Sequence, residues 1–265
     1  MDKKYTKSYS LSKEEMNGMS KRFSYATTTD KGSKIFESST TDNVYTHDDK
    51  ELDDKTNDEQ RKTNDACQSC HPSIICLSTD EQFKCAFRKC REVFYDKLLD
   101  YGASWRIMRP QSVTDQIYIK ANRIRSIEES NGVTMVNEGV LPEFIGIVNY
   151  GIIGLIQLVR GYSKDGTDMS TKEVLDLYEK YATISFELMQ KKNHDYDEAW
   201  RMMRICSYTD LILMKLCRTK SIESNNGKTK VSEGIDANYL DMINYAIFGI
   251  IKLLEEEETV NDEKK

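Results

Sequence analysis

Residues 100–158 read DYGASWRIMRPQSVTDQIYIKANRIRSIEESNGVTMVNEGVLPEFIGIVNYGIIGLIQL, and the chain repeats this stretch 95 positions later, at residues 195–253. Aligned without an insertion, 27 of the 59 positions are identical, and each residue thus has a twin in the other copy. A repeat of this length is too long for one unit of a solenoid. It indicates the two halves of a duplicated domain.

The residues that the two copies share are mostly polar. Apolar positions exchange, as Val148 does with its twin Ile243, because a packed core tolerates such swaps. Polar side chains held at a fixed spacing are more typical of a site than of a scaffold. Some of them are nevertheless expected to serve as caps and turns.

Composition limits the classes of function. The chain has 265 residues, with 38 basic and 44 acidic side chains, so no global field draws it to DNA or to membranes. We find no apolar run of 18 residues and no apolar segment after the N-terminal Met-Asp-Lys-Lys, and therefore expect neither a membrane span nor a secretion signal. Seven cysteines, an odd number, fit a reducing compartment, and the predicted location is the cytoplasm.

Residues 1–79 differ in kind from the rest of the chain. They are rich in Ser, Thr, Asp and Lys without a lasting apolar period, so we predict a disordered polar leader. Its segment Cys67-Gln68-Ser69-Cys70-His71 has a spacing that is typical of zinc sites and of covalent haem attachment. Zinc would need a second close ligand pair, which Cys76 and Cys85 do not provide. We therefore favour free cysteines here.

Each copy carries three helical patterns. Apolar residues recur at helical spacing from Asp80, a second helix is predicted to open at Ser112, and a third follows Gly139. The third helix is apolar over most of its circumference and should form the buried centre of each half. In the second copy, Ser170 and Glu173 form a capping box at the start of the first helix.

We predict an all-α fold, a tandem duplicated helical bundle of two pseudo-twofold halves with about three main helices each. The first copy covers residues 80–163 and the second covers residues 164–258. Ser112 with Asp115, and their twins Ser207 with Asp210, also match a capping box. For these two aspartates we favour capping over catalysis.

A first constellation follows the first helix of each copy. Arg106 and Arg109 lie three residues apart and could bind phosphate, while Trp105 offers a face for a base. The alternative is an amphipathic turn with a buried Trp and ion-paired arginines. The twins of these candidates are Trp200, Arg201 and Arg204.

A second constellation lies on the second helix. Lys120 and Arg123 share one face, with Glu128 near the helix end, and all three recur in the second copy. Identity in both copies favours phosphate binding, although an exposed face with ion pairs would have the same spacing. The twins are Lys215, Arg218 and Glu223.

A third constellation is carboxylate-rich and belongs to the third helix. Carboxylates on an otherwise apolar helix are costly unless they are paired or bound to metal, and hard oxygen ligands suit Mg²⁺. The copies differ here, because Glu143 has Asn238 as its twin and Gly146 has Asp241. Glu143 and Asp241 are also the candidates for a catalytic role. The predicted metal ligands are Glu138, Glu143, Glu233 and Asp241.

These residues also carry a resemblance. The motifs are DYGxxWR at 100–106, SxTDxI at 112–117, KxxRxxSIE at 120–128, EGxxxEFIGIVNY at 138–150 and EGIDANYxDMINY at 233–245. Over roughly residues 85–254 the chain resembles the nucleotide modification associated domain family, first type, a two-copy all-helical family. It departs at Leu98-Leu99, where the family has Lys/Asn-His, a pair that the second copy keeps as Asn193-His194. In the second copy, Asp197 replaces the Gly of the first motif.

The resemblance implies a role in phage or bacterial nucleotide or DNA-base modification, with modification enzymes as partners. We favour a cytoplasmic protein, a pseudo-dimeric monomer or homodimer, that binds a nucleotide or modified nucleotide, with Mg²⁺ as its one candidate cofactor. The alternative is an Mg²⁺-dependent (deoxy)nucleoside triphosphate pyrophosphohydrolase-like enzyme, whose helical pattern is similar in style. That pattern needs paired carboxylates on two helices, whereas the second helices here offer Lys and Arg. Whether the chain is an enzyme stays open at this point.

Overall fold

The computed structural model describes residues 73–130, 132, 139–231 and 233–263. The predicted leader lies outside these ranges apart from residues 73–79, and so do Cys67, Cys70 and His71. From Ile74 onward the described residues form one compact unit.

Six long helices form the fold, and no strand occurs within the described ranges, so the predicted all-α duplicated bundle is confirmed. A short 3-10 turn, Ser104–Ile107, follows the first helix, and its counterpart Ala199–Met202 follows the fourth. The helices are α1 Thr79–Tyr101, α2 Pro110–Glu129, α3 Leu141–Arg160, α4 Thr171–Tyr196, α5 Ile205–Ser224 and α6 Ile235–Asp262.

Capping boxes start α1 and α4. Ser170 and Glu173 satisfy each other's backbone amides at the start of α4, as predicted. Ser78 and Glu81 do the same for α1, which therefore begins one residue before the predicted Asp80.

The capping boxes predicted for α2 and α5 are wrong. Both helices begin earlier than expected, with Arg109 and Arg204 at the N-cap positions and no side-chain cap on either. Pro110 explains the earlier start of α2, because its fixed φ suits the first turn of a helix, where its missing amide donor costs little. Asp115 therefore lies within α2, where it is not a cap.

The centre of the fold is the crossing of α3 and α6, which pack on each other more extensively than any other pair of helices. Aromatic rings enter glycine gaps reciprocally. A Cβ on Gly154 would lie 2.7 Å from the Tyr239 ring, and one on Gly249 would lie 3.0 Å from the ring of Phe144, the twin of Tyr239. This relation follows the predicted pseudo-twofold arrangement.

Polar side chains cross between α2 and α5 in reciprocal pairs. Thr114 donates to Glu223 at 2.6 Å, and its twin Thr209 donates to Glu128 at 2.9 Å. Burial raises the pKa of both carboxyls above the ordinary value. Glu128 and Glu223 thus join the copies rather than pairing with the basic residues of their own helix.

Two ion pairs follow the same symmetry. Lys220 lies 2.8 Å from Asp115, and Arg125 lies 2.5 Å from Asp210. Asp115 and its twin Asp210 therefore link α2 to α5. Their repetition has a structural reason that is neither capping nor catalysis.

Helix α3 is long and apolar enough to cross a membrane by length and composition alone. However, 72% of its apolar window is buried inside the chain, as in the core helix of a globular protein.

Candidate functional site

A cavity of about 740 Å³ opens in the first copy between α1, the 3-10 turn Ser104–Ile107, α2 and α3. Its volume lies in the range of small-molecule sites. The wall is mostly apolar, with a few charged and aromatic side chains that the two copies share. The lining residues that matter below are Lys97, Tyr101, Trp105, Lys120, Gly146, Tyr150 and Ile153.

Two lysines bring positive charge to this first-copy cavity. Lys120 comes from α2, and its Nζ lies 3.2 Å from a carboxylate oxygen of Glu143, which belongs to the first turn of α3. Lys97 comes from the last turns of α1 and is exposed, without an ion-pair partner among the residues that the structure describes. An anion in the cavity would therefore find at least one ammonium group that no carboxylate of the described residues neutralises.

Aromatic side chains form another part of the wall. Trp105 is half-buried in the 3-10 turn, and Tyr101 at the end of α1 is exposed. Tyr150 of α3 is half-buried, and desolvation raises the pKa of its phenol above the ordinary value. Such rings can stack on a planar ligand.

The second copy arranges the equivalent lysines differently. Lys192 and Lys215, the twins of Lys97 and Lys120, both contact the carboxylate of Asp241. The Lys215 ammonium lies 2.5 Å from one oxygen, and Lys192 binds the other. Lys215 and Asp241 are both nearly fully buried, so this pair is well shielded from solvent.

Glycine stands in the first copy where the second has this carboxylate. Gly146 of α3 is the twin of Asp241, and the Lys120 chain lies across it. A Cβ on Gly146 would be 2.5 Å from Lys120 Cε and 2.9 Å from its Nζ. The first copy thus lacks the carboxylate that bridges the two lysines in the second copy, although Glu143 contacts Lys120 there.

A second difference concerns the tryptophans. Trp200 is 6% exposed and stacks on Phe248, with ring centroids 4.4 Å apart and planes 10° from parallel. The Arg201 guanidinium lies 4.4 Å from its centroid, so Trp200 cannot stack on a base in this conformation. The twin of Phe248 is Ile153, which lines the first-copy cavity together with Trp105.

Arg106 serves the fold rather than the cavity. Its side chain is 1% exposed and donates to Asp168, to the carbonyl of Gly161 at 2.6 Å and to Gln157. The hydrogen bonds from Arg106 to Asp168 lower the pKa of the Asp168 carboxyl. Its twin Arg201 is likewise bound by Glu198 and by Gln82. Both guanidinium groups are bound within the fold, so neither joins its exposed neighbour, Arg109 or Arg204, in the predicted phosphate fork.

The remaining predicted phosphate ligands are scattered. Arg109 and Arg204 are exposed N-cap residues of α2 and α5. Arg123 pairs with Glu143 beside Lys120, so this predicted pair does converge. Arg218 is half-buried on α5, on the side of Tyr245.

The predicted metal ligands that the structure describes do not converge. Glu143 and Asp241 each contact two basic side chains, Glu233 is exposed before α6, and Glu138 lies outside the described residues. Within the described ranges, no three His, Cys, Asp or Glu side chains come close enough to share a metal ion. Carboxylates already neutralised by two cations each are a poor fit to Mg²⁺.

The shared asparagines of the third helices have structural partners. Asn149 donates to the carbonyl of Cys90 at 3.0 Å and accepts from Tyr178 at 2.9 Å. Its twin Asn244 accepts from Ser185 at 2.6 Å. The shared amides therefore tie the central helices to α1 and α4.

Sequence reasoning missed Lys97 and Ile153. Lys97 is identical to its twin Lys192 at the same offset, three residues before the aligned stretch, and extending the alignment would have found it. Ile153 and its twin Phe248 form one of many pairs of apolar residues that differ between the copies, so the sequence did not single them out. The contrast between them gains meaning only when Trp105 is seen beside Ile153.

Comparison with known proteins agrees with the repeat. A family model described as nucleotide modification associated domain 1 matches the chain twice, at residues 97–158 and 192–253. The two matches begin at Lys97 and Lys192. The family's name connects these domains with nucleotide modification. No curated protein and no solved structure gives a significant match.

Proposed function

We propose that this chain, which carries two copies of nucleotide modification associated domain 1, binds a nucleotide in the first-copy cavity. The observation that carries the proposal is the meeting of Lys97, Lys120 and Trp105 in one cavity. A nucleotide combines an anionic group with a planar aromatic ring, and these side chains complement both parts.

The lysines would bind the phosphate. Lys97 supplies a charge that no carboxylate in the described part of the chain neutralises, and Lys120 can turn its flexible end from Glu143 toward a ligand. Hydrogen bonds from an ammonium group to phosphate are charge-assisted and stronger than neutral ones. Arg123 also binds Glu143 and would keep that carboxylate neutralised when Lys120 moves.

The base would stack on aromatic side chains. Trp105 and Tyr150 line the cavity, and stacking of a base on an aromatic ring contributes roughly 1–3 kcal/mol. Stacking tolerates every base, because each has a π-face. This arrangement supports recognition of a nucleotide without selecting one base.

Binding is better supported than hydrolysis. A pyrophosphohydrolase-like mechanism needs carboxylates that hold Mg²⁺, and Glu143 and Asp241 are instead each engaged by two cations. These two carboxylates also belong to different copies. Any Mg²⁺ would then arrive with the ligand phosphate rather than in a preformed protein site.

Isothermal titration calorimetry tests the proposal with the deoxynucleoside 5′-monophosphates and triphosphates, each with and without Mg²⁺. Lys97→Ala should weaken binding about tenfold to a hundredfold, the loss of roughly 1.5–3 kcal/mol from one charge-assisted contact. The matched control is Lys192→Ala, which removes the same residue from the second copy and should leave affinity unchanged. Equal affinities for wild type and Lys97→Ala would contradict the proposed site.

A further inference from the structure

The second copy contains side chains at the two positions where the proposed ligand would sit in the first copy. The carboxylate of Asp241 lies between Lys192 and Lys215, at the place of an anion. The ring of Phe248 lies against Trp200, at the place of a base. The first copy has Gly146 and Ile153 at these positions, and both line the cavity.

These two positions are coupled by helix geometry. They are separated by seven residues, which places them on one face of the helix, about 10 Å apart along its axis. The anion position and the ring position therefore have a fixed spacing in both copies. An extended nucleoside 5′-monophosphate spans a comparable distance between its phosphate and the far edge of its base.

We infer that the second copy is permanently occupied by its own Asp241 and Phe248, so that the chain takes one ligand, a nucleoside monophosphate, in the first copy. The inference rests on the proposed function and names its ligand class and its stoichiometry. It assigns Gly146 and Ile153 as the residues that keep the first site open.

Charge favours a monophosphate over a triphosphate. One internal carboxylate suffices for the two second-copy lysines, so the site is built around a single anionic group. A phosphate monoester carries about −1.5 to −2 charge at pH 7, which matches two ammonium groups. A triphosphate carries further anionic groups for which the second copy has no counterpart, because Lys192 and Lys215 share the single carboxylate of Asp241.

Space agrees with this assignment. At Gly146 the obstacle to a side chain is the flexible end of Lys120, so an aspartate there can be accommodated when the lysine moves. The double variant Gly146→Asp/Ile153→Phe should therefore give the first copy the internal occupant of the second. Its site should be filled while the fold is kept.

Titration calorimetry of the full chain with each of the deoxynucleoside 5′-monophosphates provides the test. Wild type should bind one equivalent, at least about tenfold more tightly than the matching triphosphate. Gly146→Asp/Ile153→Phe should bind none while its circular dichroism is unchanged. Asp241→Gly/Phe248→Ile should bind a second equivalent.

Each result has a distinct meaning. Two equivalents bound by wild type, or a triphosphate bound at least as tightly as a monophosphate, would overturn the inference and leave nucleotide binding standing. Unchanged binding by Gly146→Asp/Ile153→Phe would overturn it as well, and this arm decides the matter if Asp241→Gly/Phe248→Ile fails to fold. No binding of any nucleotide to wild type would overturn the proposed function itself.

Discussion

Thr114 in the first copy donates its hydroxyl to Glu223 in the second, at 2.6 Å. The Tyr239 hydroxyl lies 2.8 Å from the same Thr114 oxygen. Because a carboxylate only accepts, Tyr239 is then the donor to Thr114. The twin hydrogen bond from Thr209 to Glu128 has no such third member, since the twin of Tyr239 is Phe144.

Substitution of Thr114 should therefore cost more than substitution of Thr209. Thr114→Val should lower the free energy of unfolding by about 1–3 kcal/mol, because it leaves Glu223 and the buried Tyr239 hydroxyl without their partner. Thr209→Val is the matched control and should cost less. Urea denaturation measures both, and equal losses would mean that Tyr239 adds nothing to this contact.

The two inter-copy carboxyls predict a pH dependence. Burial raises the pKa of Glu128 and of Glu223 above 4.5 in the folded chain, so the folded state binds these protons more tightly than the unfolded state. The stability that proton binding at these two carboxyls contributes is therefore lost as pH rises from about 4.5 through the folded pKa. The double variant Glu128→Gln/Glu223→Gln should be more stable than wild type at pH 7, and this stability difference should be smaller at pH 4.5. A difference that does not change with pH would contradict this account.

The helix crossing predicts opposite outcomes for two glycines. Gly154→Ala places a methyl group 2.7 Å from the buried Tyr239 ring and should lower stability by about 1–2 kcal/mol, because overpacking outweighs the gain in helix propensity. Gly146→Ala meets only the movable end of Lys120 and should be neutral or stabilising. Thermal unfolding of both variants compares them. A loss for Gly146→Ala as large as that for Gly154→Ala would mean that Lys120 cannot move.

Arg106 should behave as a residue of the fold. Arg106→Ala leaves Gln157 and the Gly161 carbonyl without their donor, and should lower the free energy of unfolding by about 3 kcal/mol. The control is Arg109→Ala, an exposed residue three positions later, which should change stability by less than about 0.5 kcal/mol. Chemical denaturation distinguishes them. Unaltered stability in Arg106→Ala would return this residue to the phosphate-binding candidates.

Much of the fold could be predicted from the sequence, because its determinants are local. The apolar period marks α1 and α3, Ser170 with Glu173 marks the start of α4, and the constant offset marks the duplication. The caps of α2 and α5 were mispredicted because a capping motif is a local pattern, which does not register contacts between the copies. Their aspartates fit a capping motif at the level of sequence, but contacts with the other copy determine their role.

The site was less accessible to sequence reasoning. Repetition marked Arg106 and Lys120 equally, yet one side chain is buried in the fold and the other lines the cavity. The decisive information lies in pairs that differ between the copies, such as Gly146 with Asp241. The meaning of such a pair depends on which lysines surround it, and only the packing of α1 and α2 against α3 supplies that.

The most direct test of the first-copy cavity uses the two tryptophans of the chain as reporters. In Trp200→Phe the remaining indole is Trp105, and titration with a deoxynucleoside monophosphate should quench its fluorescence saturably, since a base stacks on it. In Trp105→Phe the remaining indole is Trp200, which is covered by Phe248 and should not respond. Saturable quenching in Trp200→Phe alone is the predicted result. Quenching of Trp200 in Trp105→Phe, with none of Trp105 in Trp200→Phe, would contradict the first-copy site.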